Sequence, residues 1–332
     1  MRSLWADLPA RGRVLLGLLL AALLSAPLVA DRYLISVLIL VFYFAYLGEA
    51  WNIMMGFAGQ LSLGHALYVG LGAYVTAALW LYAGIGPWLG VFLAVMIAAL
   101  FGLAIGWLGW RFGIEGVYFA LLTIAFAEFT RIAFDHLDAF GGSGGLFLPV
   151  NTAQATEWWN LRGGPLLFYY LALALAACAV LLVARLGRSG LGYQWLAVRE
   201  DPQAASALGI NVFRARMTAM LISSSMTAVG GVFYAFYYRS LFPAQVFDIG
   251  RSIELILAPV IGGLGTVFGP VVGAFILTPL GETLIAVMDR VGVDAPGAKA
   301  IFYGLSLMTI IYVQPNGVWP WLARALGFKE QA

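Results

Sequence analysis

The segment Asp135-His-Leu-Asp138 sets two carboxylates three residues apart, a spacing by which a membrane-embedded prenyl-transfer enzyme would hold magnesium and a diphosphate. That chemistry wants two acidic clusters, and the motif occurs once. The histidines, His65 and His136, have no cluster of metal-binding residues around them, and His65 reads as a helix-packing residue rather than a ligand. Cys178 is the single cysteine, which excludes an intramolecular disulfide and argues against a cysteine-based metal site. The sequence has no G-x-x-x-x-G-K-S/T phosphate loop, so the chain is not itself an ATPase. What remains is a set of polar side chains inside apolar runs. Glu49 and Asn52 share a helix face three residues apart, and so do Glu128 and Arg131. A charge at the bilayer centre costs at least about 2.5–3.5 kcal/mol, so these groups should face protein or water. Glu128 and Arg131 read as a structural pair near the outer interface, and Glu49 and Asn52 as the lining of a cavity.

The surroundings that must position these residues follow from composition. The chain has 332 residues, 62% hydrophobic and 10% charged, with a mean hydropathy of +0.92. A soluble domain carries about 25% charged residues. This is therefore an all-α polytopic membrane protein, one membrane domain over residues 1–332. Its apolar runs predict about ten transmembrane segments, near 14–30, 33–53, 66–82, 88–109, 117–134, 165–184, 215–238, 252–268, 270–288 and 300–313. The first run follows Arg11 and Arg13 as a signal peptide would, but it reads as an uncleaved span, because any multi-span chain already carries an insertion signal.

An even number of spans puts both termini on one side. With the N terminus inside, Arg2, Arg11, Arg13, Arg111, Arg185, Arg188, Arg199, Arg214, Arg216, Arg324 and Lys329 lie inside, against Arg32, Arg162, Arg239, Arg251, Arg290 and Lys299 outside. The excess of inner cations predicts an N-in, C-in topology. The longest outer loop, about 135–164, carries Gly141-Gly-Ser-Gly-Gly145, and also Trp158 and Trp159, which suit the headgroup level. The net charge of +2 implies no acidic partner and no nucleic acid.

Between two long apolar runs stands Gly56-Phe-Ala-Gly-Gln-Leu-Ser-Leu-Gly-His65, running on to Gly70, Gly72 and Ala73. Irregular backbone at membrane depth is tolerated only where it is buried in protein or lines a wet cavity. Transporters place broken helices of this kind beside the permeation path. The pattern is loosely echoed by Gly262-Gly263, Gly265, Gly269 and Gly273-Ala274, which suggests an internal repeat with glycine-broken helices in both halves. The competing explanation is close helix packing through small residues. On the first reading Glu49, Asn52, Gly56, Gly59, Gln60, Ser62, Gly64, His65, Gly262, Gly263, Gly265 and Gly269 sit along a translocation path.

The inner loop Arg199-Glu-Asp-Pro-Gln-Ala-Ala-Ser-Ala-Leu-Gly-Ile-Asn211 parses as a short capped helix. Asp201 suits the N-cap, Pro202 the first helical position, and Gly209 the residue past the end. So short a helix is not stable alone in water, so either the membrane domain or a soluble partner must hold it. It reads as a lever between two spans or as an ordinary connector on the membrane surface.

These motifs together resemble a family. Gly56 to His65 is similar to the "GYAGQxSLGH" segment of LivM-type permeases, the membrane subunits of branched-chain amino acid ABC importers. Gly116-Val-Tyr-Phe-Ala-Leu-Leu-Thr-Ile-Ala-Phe126 resembles the family's next characteristic helix. Arg199-Glu200-Asp201 with Ala204, Ala205 and Leu208-Gly209-Ile210 is similar to its cytoplasmic coupling segment. Ile261-Gly-Gly-Leu-Gly-Thr-Val-Phe-Gly-Pro270 resembles its second glycine motif, and Gln314-Pro-Asn-Gly317 its C-terminal turn. The resemblance runs in order over about residues 33–320. It implies a heterodimer with a LivH-type permease, two cytoplasmic ABC ATPases that bind ATP and Mg, and a periplasmic or surface solute-binding protein, at a bacterial inner membrane. It implies no cofactor in this chain. Relatives carry urea, short amides and aromatic acids, and nothing in the sequence selects among these cargoes. The chain departs from the family pattern at Glu49, where a small or neutral residue is more usual.

Overall fold

The computed structural model describes residues 10–149, 157–292 and 297–325. Arg2, Lys329 and the outer-loop residues 150–156 lie outside the described residues. The described chain is almost wholly helical: α1 Ala10–Ser25, α2 Arg32–Asn52, α3 Ala66–Ala83, α4 Pro87–Arg111, α5 Val117–His136, α6 Pro165–Gly187, α7 Gly190–Glu200, α8 Pro202–Ala207, α9 Val212–Tyr238, α10 Pro243–Val246, α11 Ile249–Gly262, α12 Gly269–Val291, α13 Ala298–Val313 and α14 Val318–Ala325. One two-residue antiparallel ribbon pairs Leu146–Phe147 with Ser240–Leu241.

Seven of these helices are long and apolar enough to cross a membrane, by length and composition: α2 with the turn after it, α3, α4, α5, α6, α9 and α12. Of the ten predicted runs, those at 14–30 and 300–313 coincide with the shorter apolar helices α1 and α13. The run at 252–268 is not one span. Its helix, α11, stops at Gly262 after 14 residues, roughly 21 Å at 1.5 Å per residue against a hydrocarbon core of about 30 Å.

The helices form where their ends are capped. The Asp31 carboxylate accepts from the Leu34 N–H at 2.8 Å to start α2, and the Asn211 side-chain oxygen accepts from the Arg214 N–H at 2.9 Å to start α9. Pro87 and Pro165 open α4 and α6 at positions that need no N–H. α2 is the central helix, buried on every side from Val41 to Asn52 and packed against α6, α9, α11 and α12. α3 and α4 both pack on α9. α4, α5 and α6 bury one face and expose Phe92, Leu100, Phe129 and Leu182 on the other, as lipid-facing helices do.

Candidate functional site

The glycines of the two motifs divide into two groups. Gly70 and Gly72 lie inside the straight helix α3, and Gly273 inside α12. A Cβ on Gly72 would run into the Ala228 carbonyl on α9, and one on Gly273 into the Ala258 carbonyl on α11. These positions serve close helix packing. The others form real breaks. After α2 the chain takes one π-helical turn, Ile53–Phe57, and then leaves helical geometry from Ala58 until α3 begins. Between α11 and α12, residues 263–268 are likewise non-helical. The first break is mostly buried in protein, whereas the second is mostly half-buried, with Gly263 buried and Leu264 exposed.

The first break is tied down by side chains from several helices. Trp51 Nε1–H donates to the Ser62 carbonyl at 2.8 Å, the Leu63 N–H donates to Thr123 Oγ1 at 3.1 Å, and the Ala66 N–H donates to Ser252 Oγ at 2.9 Å. Gln60 donates through Nε2 to the Ala58 carbonyl and accepts from Trp110 Nε1–H, both at 3.1 Å. A Cβ on Gly64 would collide with the Thr123 carbonyl, so this contact with α5 requires glycine.

His65 is completely buried, with Nδ1 2.9 Å from Ser62 Oγ and Nε2 2.8 Å from Ser223 Oγ. Ser223 spends its one hydroxyl proton on the Ala50 carbonyl at 2.7 Å, so its oxygen accepts from His65 Nε2–H. His65 Nδ1 then accepts from the Ser62 hydroxyl. Both ring nitrogens are engaged, in agreement with a packing histidine.

The two breaks meet at Asn52. Its side-chain Nδ2 donates to the Thr266 carbonyl at 2.9 Å, and its Oδ1 accepts from the Gly265 N–H at 2.8 Å. One amide therefore serves both an acceptor and a donor of the second break, as a strand neighbour would. Gly265 has φ +71°, and a Cβ there would sit 2.6 Å from Arg199 Nη1 and 2.7 Å from the Gly56 carbonyl. Only glycine meets both demands. Within the second break Thr266 Oγ1 donates to the Gly263 carbonyl at 2.8 Å and accepts from the Gly269 N–H at 3.1 Å. A Cβ on Gly262 would run into the Gly269 carbonyl, which draws the two ends of this break together.

Arg199 is placed differently from its neighbours in the inner loop. It lies in the last turn of α7, and its Nη1 donates to the Gly56 carbonyl at 2.5 Å while its stem packs on Gly59, whose Cβ would lie 3.0 Å from Arg199 Cγ. Glu200 points outward with 75% of its side chain exposed. Asp201 accepts from the Gln203 and Ala204 N–H groups at 2.8 and 3.0 Å, the cap that the sequence predicts. The capped helix itself is only Pro202–Ala207, ended by Leu208 and by Gly209 at φ +87°. Ala205 is on its buried face, whereas Ala204 and Leu208 are exposed.

Glu49 is fully buried and neither carboxylate oxygen has a hydrogen-bond partner. Glu128 and Arg131 pair at 2.6 Å, and Arg131 also binds Asp135 at 2.6 Å, so one carboxylate of Asp135-His-Leu-Asp138 is already neutralised within α5. Sequence reasoning missed the residues that hold the breaks, among them Ser223, Ser252 and Thr266. It also counted Arg251 only as an outer cation. The pair Arg251–Glu254, at 3.0 Å, has the same i,i+3 spacing that flagged Glu128–Arg131.

The model of the family described as "Branched-chain amino acid transport system / permease component" matches residues 33–313. The chain is similar to the high-affinity branched-chain amino acid transport system permease protein LivM of Escherichia coli strain K12, with 28% identity over 95% of this chain and 76% of the relative. It is 23% identical to the probable branched-chain amino acid transport permease protein LivM of Methanocaldococcus jannaschii, over 86% of this chain and 93% of the relative. It is also 25% identical to the permease protein LivH of Salmonella typhimurium strain LT2, over 70% of this chain and 79% of the relative. No solved structure matches it. An all-helical membrane chain, broken twice by glycine segments that its own side chains clamp together, thus belongs to the branched-chain amino acid transport system permease family.

Proposed function

We propose that this chain is the LivM-type permease subunit of an ATP-driven importer of branched-chain amino acids. In this reading it lines the translocation path together with a LivH-type permease. Two cytoplasmic ABC ATPases bind ATP and Mg and hydrolyse the nucleotide, and a periplasmic or surface binding protein delivers the solute. The chain lies in a bacterial inner membrane, N-in and C-in, with α10 and α11 together returning it from the outer end of α9 to the inner side, and carries out no catalysis of its own.

The observation that carries the reading is the reach of Arg199. It joins the end of α7, next to the exposed α8, to the Gly56 carbonyl and to the side of Gly265, where the two breaks meet. A push on α8 from a soluble partner would act on α7, on Arg199, and so on both breaks at once. Asn52 would then release or regain the backbone of the second break, which makes the junction an element with two arrangements. Gly56, Gly59, Gln60, Ser62, Gly64, His65, Gly262, Gly263 and Gly269 belong to the moving junction rather than to a preformed pocket.

The test is reconstitution. Proteoliposomes holding this chain, its partner permease and the ATPases should take up leucine, isoleucine and valine when binding protein and ATP are supplied. Omitting this chain should abolish uptake. ATP hydrolysis by the purified chain alone, or full uptake without it, would refute the proposal.

A further inference from the structure

α11 is too short to cross a bilayer, and its far end is fixed at the glycine junction, where Pro259 packs on Gly48 of α2. Arg251 stands eight residues before Pro259, roughly 12 Å up the helix. α2 begins at Arg32, sixteen residues and roughly 24 Å before Gly48. The first turn of α11 therefore starts well inside the depth that α2 spans. The short helix α10 and the two residues after it lead into α11, and Val246 and Phe247 there are each only 1% exposed. A helix that begins inside a membrane domain presents its positive dipole end there.

That end carries charge and aromatic surface. Arg251 and Glu254 pair at 3.0 Å, and both side chains stay about one-fifth exposed, at 20% and 21%. The Arg251 guanidinium lies 5.2 Å over the Tyr234 ring, and its Nη2 is 3.4 Å from the Tyr234 hydroxyl. These contacts engage two of the five donors that a guanidinium offers. Tyr238 lies against Tyr234, ring centroids 4.5 Å apart. Tyr43 of α2 is 3% exposed, stands 6.4 Å from Tyr234, and its hydroxyl has no hydrogen-bond partner. An ion pair at membrane depth is costly and marks a functional site more often than a structural one. An orphaned buried hydroxyl beside it calls for a further partner.

We propose that the cluster of Arg251, Glu254, Tyr43, Tyr234 and Tyr238 is a binding site within the membrane domain for a zwitterionic aliphatic α-amino acid. This rests on the reading of the chain as an amino acid permease. The solute carboxylate takes the free donors of Arg251 at the positive end of α11, as guanidinium–carboxylate pairs do. Its ammonium pairs with Glu254, and its aliphatic side chain lies on the tyrosine rings. The Tyr43 hydroxyl gains the partner that it lacks. The one-fifth exposure of the ion pair leaves the site open on the side that a second permease subunit would close.

The experiment uses photo-leucine, a diazirine amino acid, on the complex of this chain with its permease and ATPase partners in lipid nanodiscs. Adducts are mapped by peptide mass spectrometry, and leucine, leucinamide and 4-methyl-2-oxopentanoate compete. Adducts are expected near Tyr43, Tyr234–Tyr238 and Arg251–Glu254. Leucine should compete at least about tenfold better than leucinamide, which lacks the carboxylate. Arg251→Gln should bring that ratio close to one, and Glu254→Gln should do the same for the oxo acid, which lacks the ammonium. A purely structural role would weaken all competitors equally. Tyr43→Phe, which keeps the ring, should weaken leucine competition in an intact complex and serves if the charge variants do not assemble. Adducts confined elsewhere, wild-type complex that does not distinguish leucine from leucinamide, or full discrimination in the variants would overturn the proposal. Uptake of leucine by the same wild-type complex separates the two readings: if uptake persists while the cluster is unlabelled, only this site fails, and if uptake is absent, the permease assignment fails.

Discussion

Replacing Asn52 by alanine should loosen the junction between the two breaks by an amount that the geometry bounds. The side chain makes two bonds to the second break, Nδ2 to the Thr266 carbonyl at 2.9 Å and Oδ1 from the Gly265 N–H at 2.8 Å. Removing both leaves a backbone donor and a backbone acceptor without partners. If both were sealed from water, the loss would be about 1–3 kcal/mol for each group. Side-chain bonds between membrane helices average only about 0.6 kcal/mol, because the alternative states also find partners. Gly265 and Thr266 are partly rather than fully buried, so water relieves part of the penalty. The expected loss is therefore about 1–3 kcal/mol for the pair, between the two limits.

The assay is hydrogen exchange of the chain in nanodiscs, read at the Gly265 amide. Each 1.4 kcal/mol is tenfold, so exchange there should accelerate roughly five- to 150-fold in Asn52→Ala. Amides in α3 and α9 should be unchanged. Asn52→Asp supplies the control, since it keeps an acceptor for Gly265 but sets an oxygen against the Thr266 carbonyl, and it should protect Gly265 better than alanine does. Unchanged exchange at Gly265 in Asn52→Ala would refute the clamp and, with it, the argument that the two breaks move as one.

Two further outcomes follow from the same geometry. Gly64→Leu and Gly265→Leu should abolish uptake by the reconstituted importer, because each side chain would meet backbone of a neighbouring segment, whereas Gly17→Leu should leave uptake within about twofold, since nothing lies within 4 Å of a Cβ at Gly17 and surface changes cost little. Single cysteines at Ala204 and Leu208 should cross-link to an ATPase subunit while one at Ala205 should not, as Ala205 is on the buried face of α8, and efficient links from Ala205 alone would reverse the orientation given to this helix.

Much of this fold is legible in the sequence because a bilayer leaves few choices. A chain that must satisfy its backbone without water forms helices, and runs of apolar residues mark them. The breaks are legible too, since glycine costs about 1 kcal/mol relative to alanine in a helix and clusters of it need a reason. Which glycines break the chain and which pack it is not legible. Gly64 and Gly72 look alike in sequence, and only the arrangement shows that Gly64 lies in a turn against Thr123 while Gly72 sits in a straight helix against Ala228. The break after α11 is also misjudged by hydropathy, because Leu264, Val267 and Phe268 keep the apolar run going past the point where the helix ends.

Arg199 marks where sequence reasoning about the site stops, and the reason is physical. A cation beside Glu200 and Asp201 in a polar loop reads as part of a soluble face, because nothing local says otherwise. Its partner, the Gly56 carbonyl, is 143 residues away, beyond the reach of any periodicity. That carbonyl accepts because the π-helical turn and the break after it take the backbone out of the regular helical ladder. The break thus creates the acceptor, the inner loop supplies the donor, and neither explains itself alone. The same pairing answers what holds α8, a six-residue helix that cannot persist by itself in water. It is held at one end by Asp201 and, through α7, by Arg199 at the junction, and it is exposed at the other end at Leu208. A rigid connector exposed at one end and fastened to two helix breaks at the other is the arrangement a lever requires.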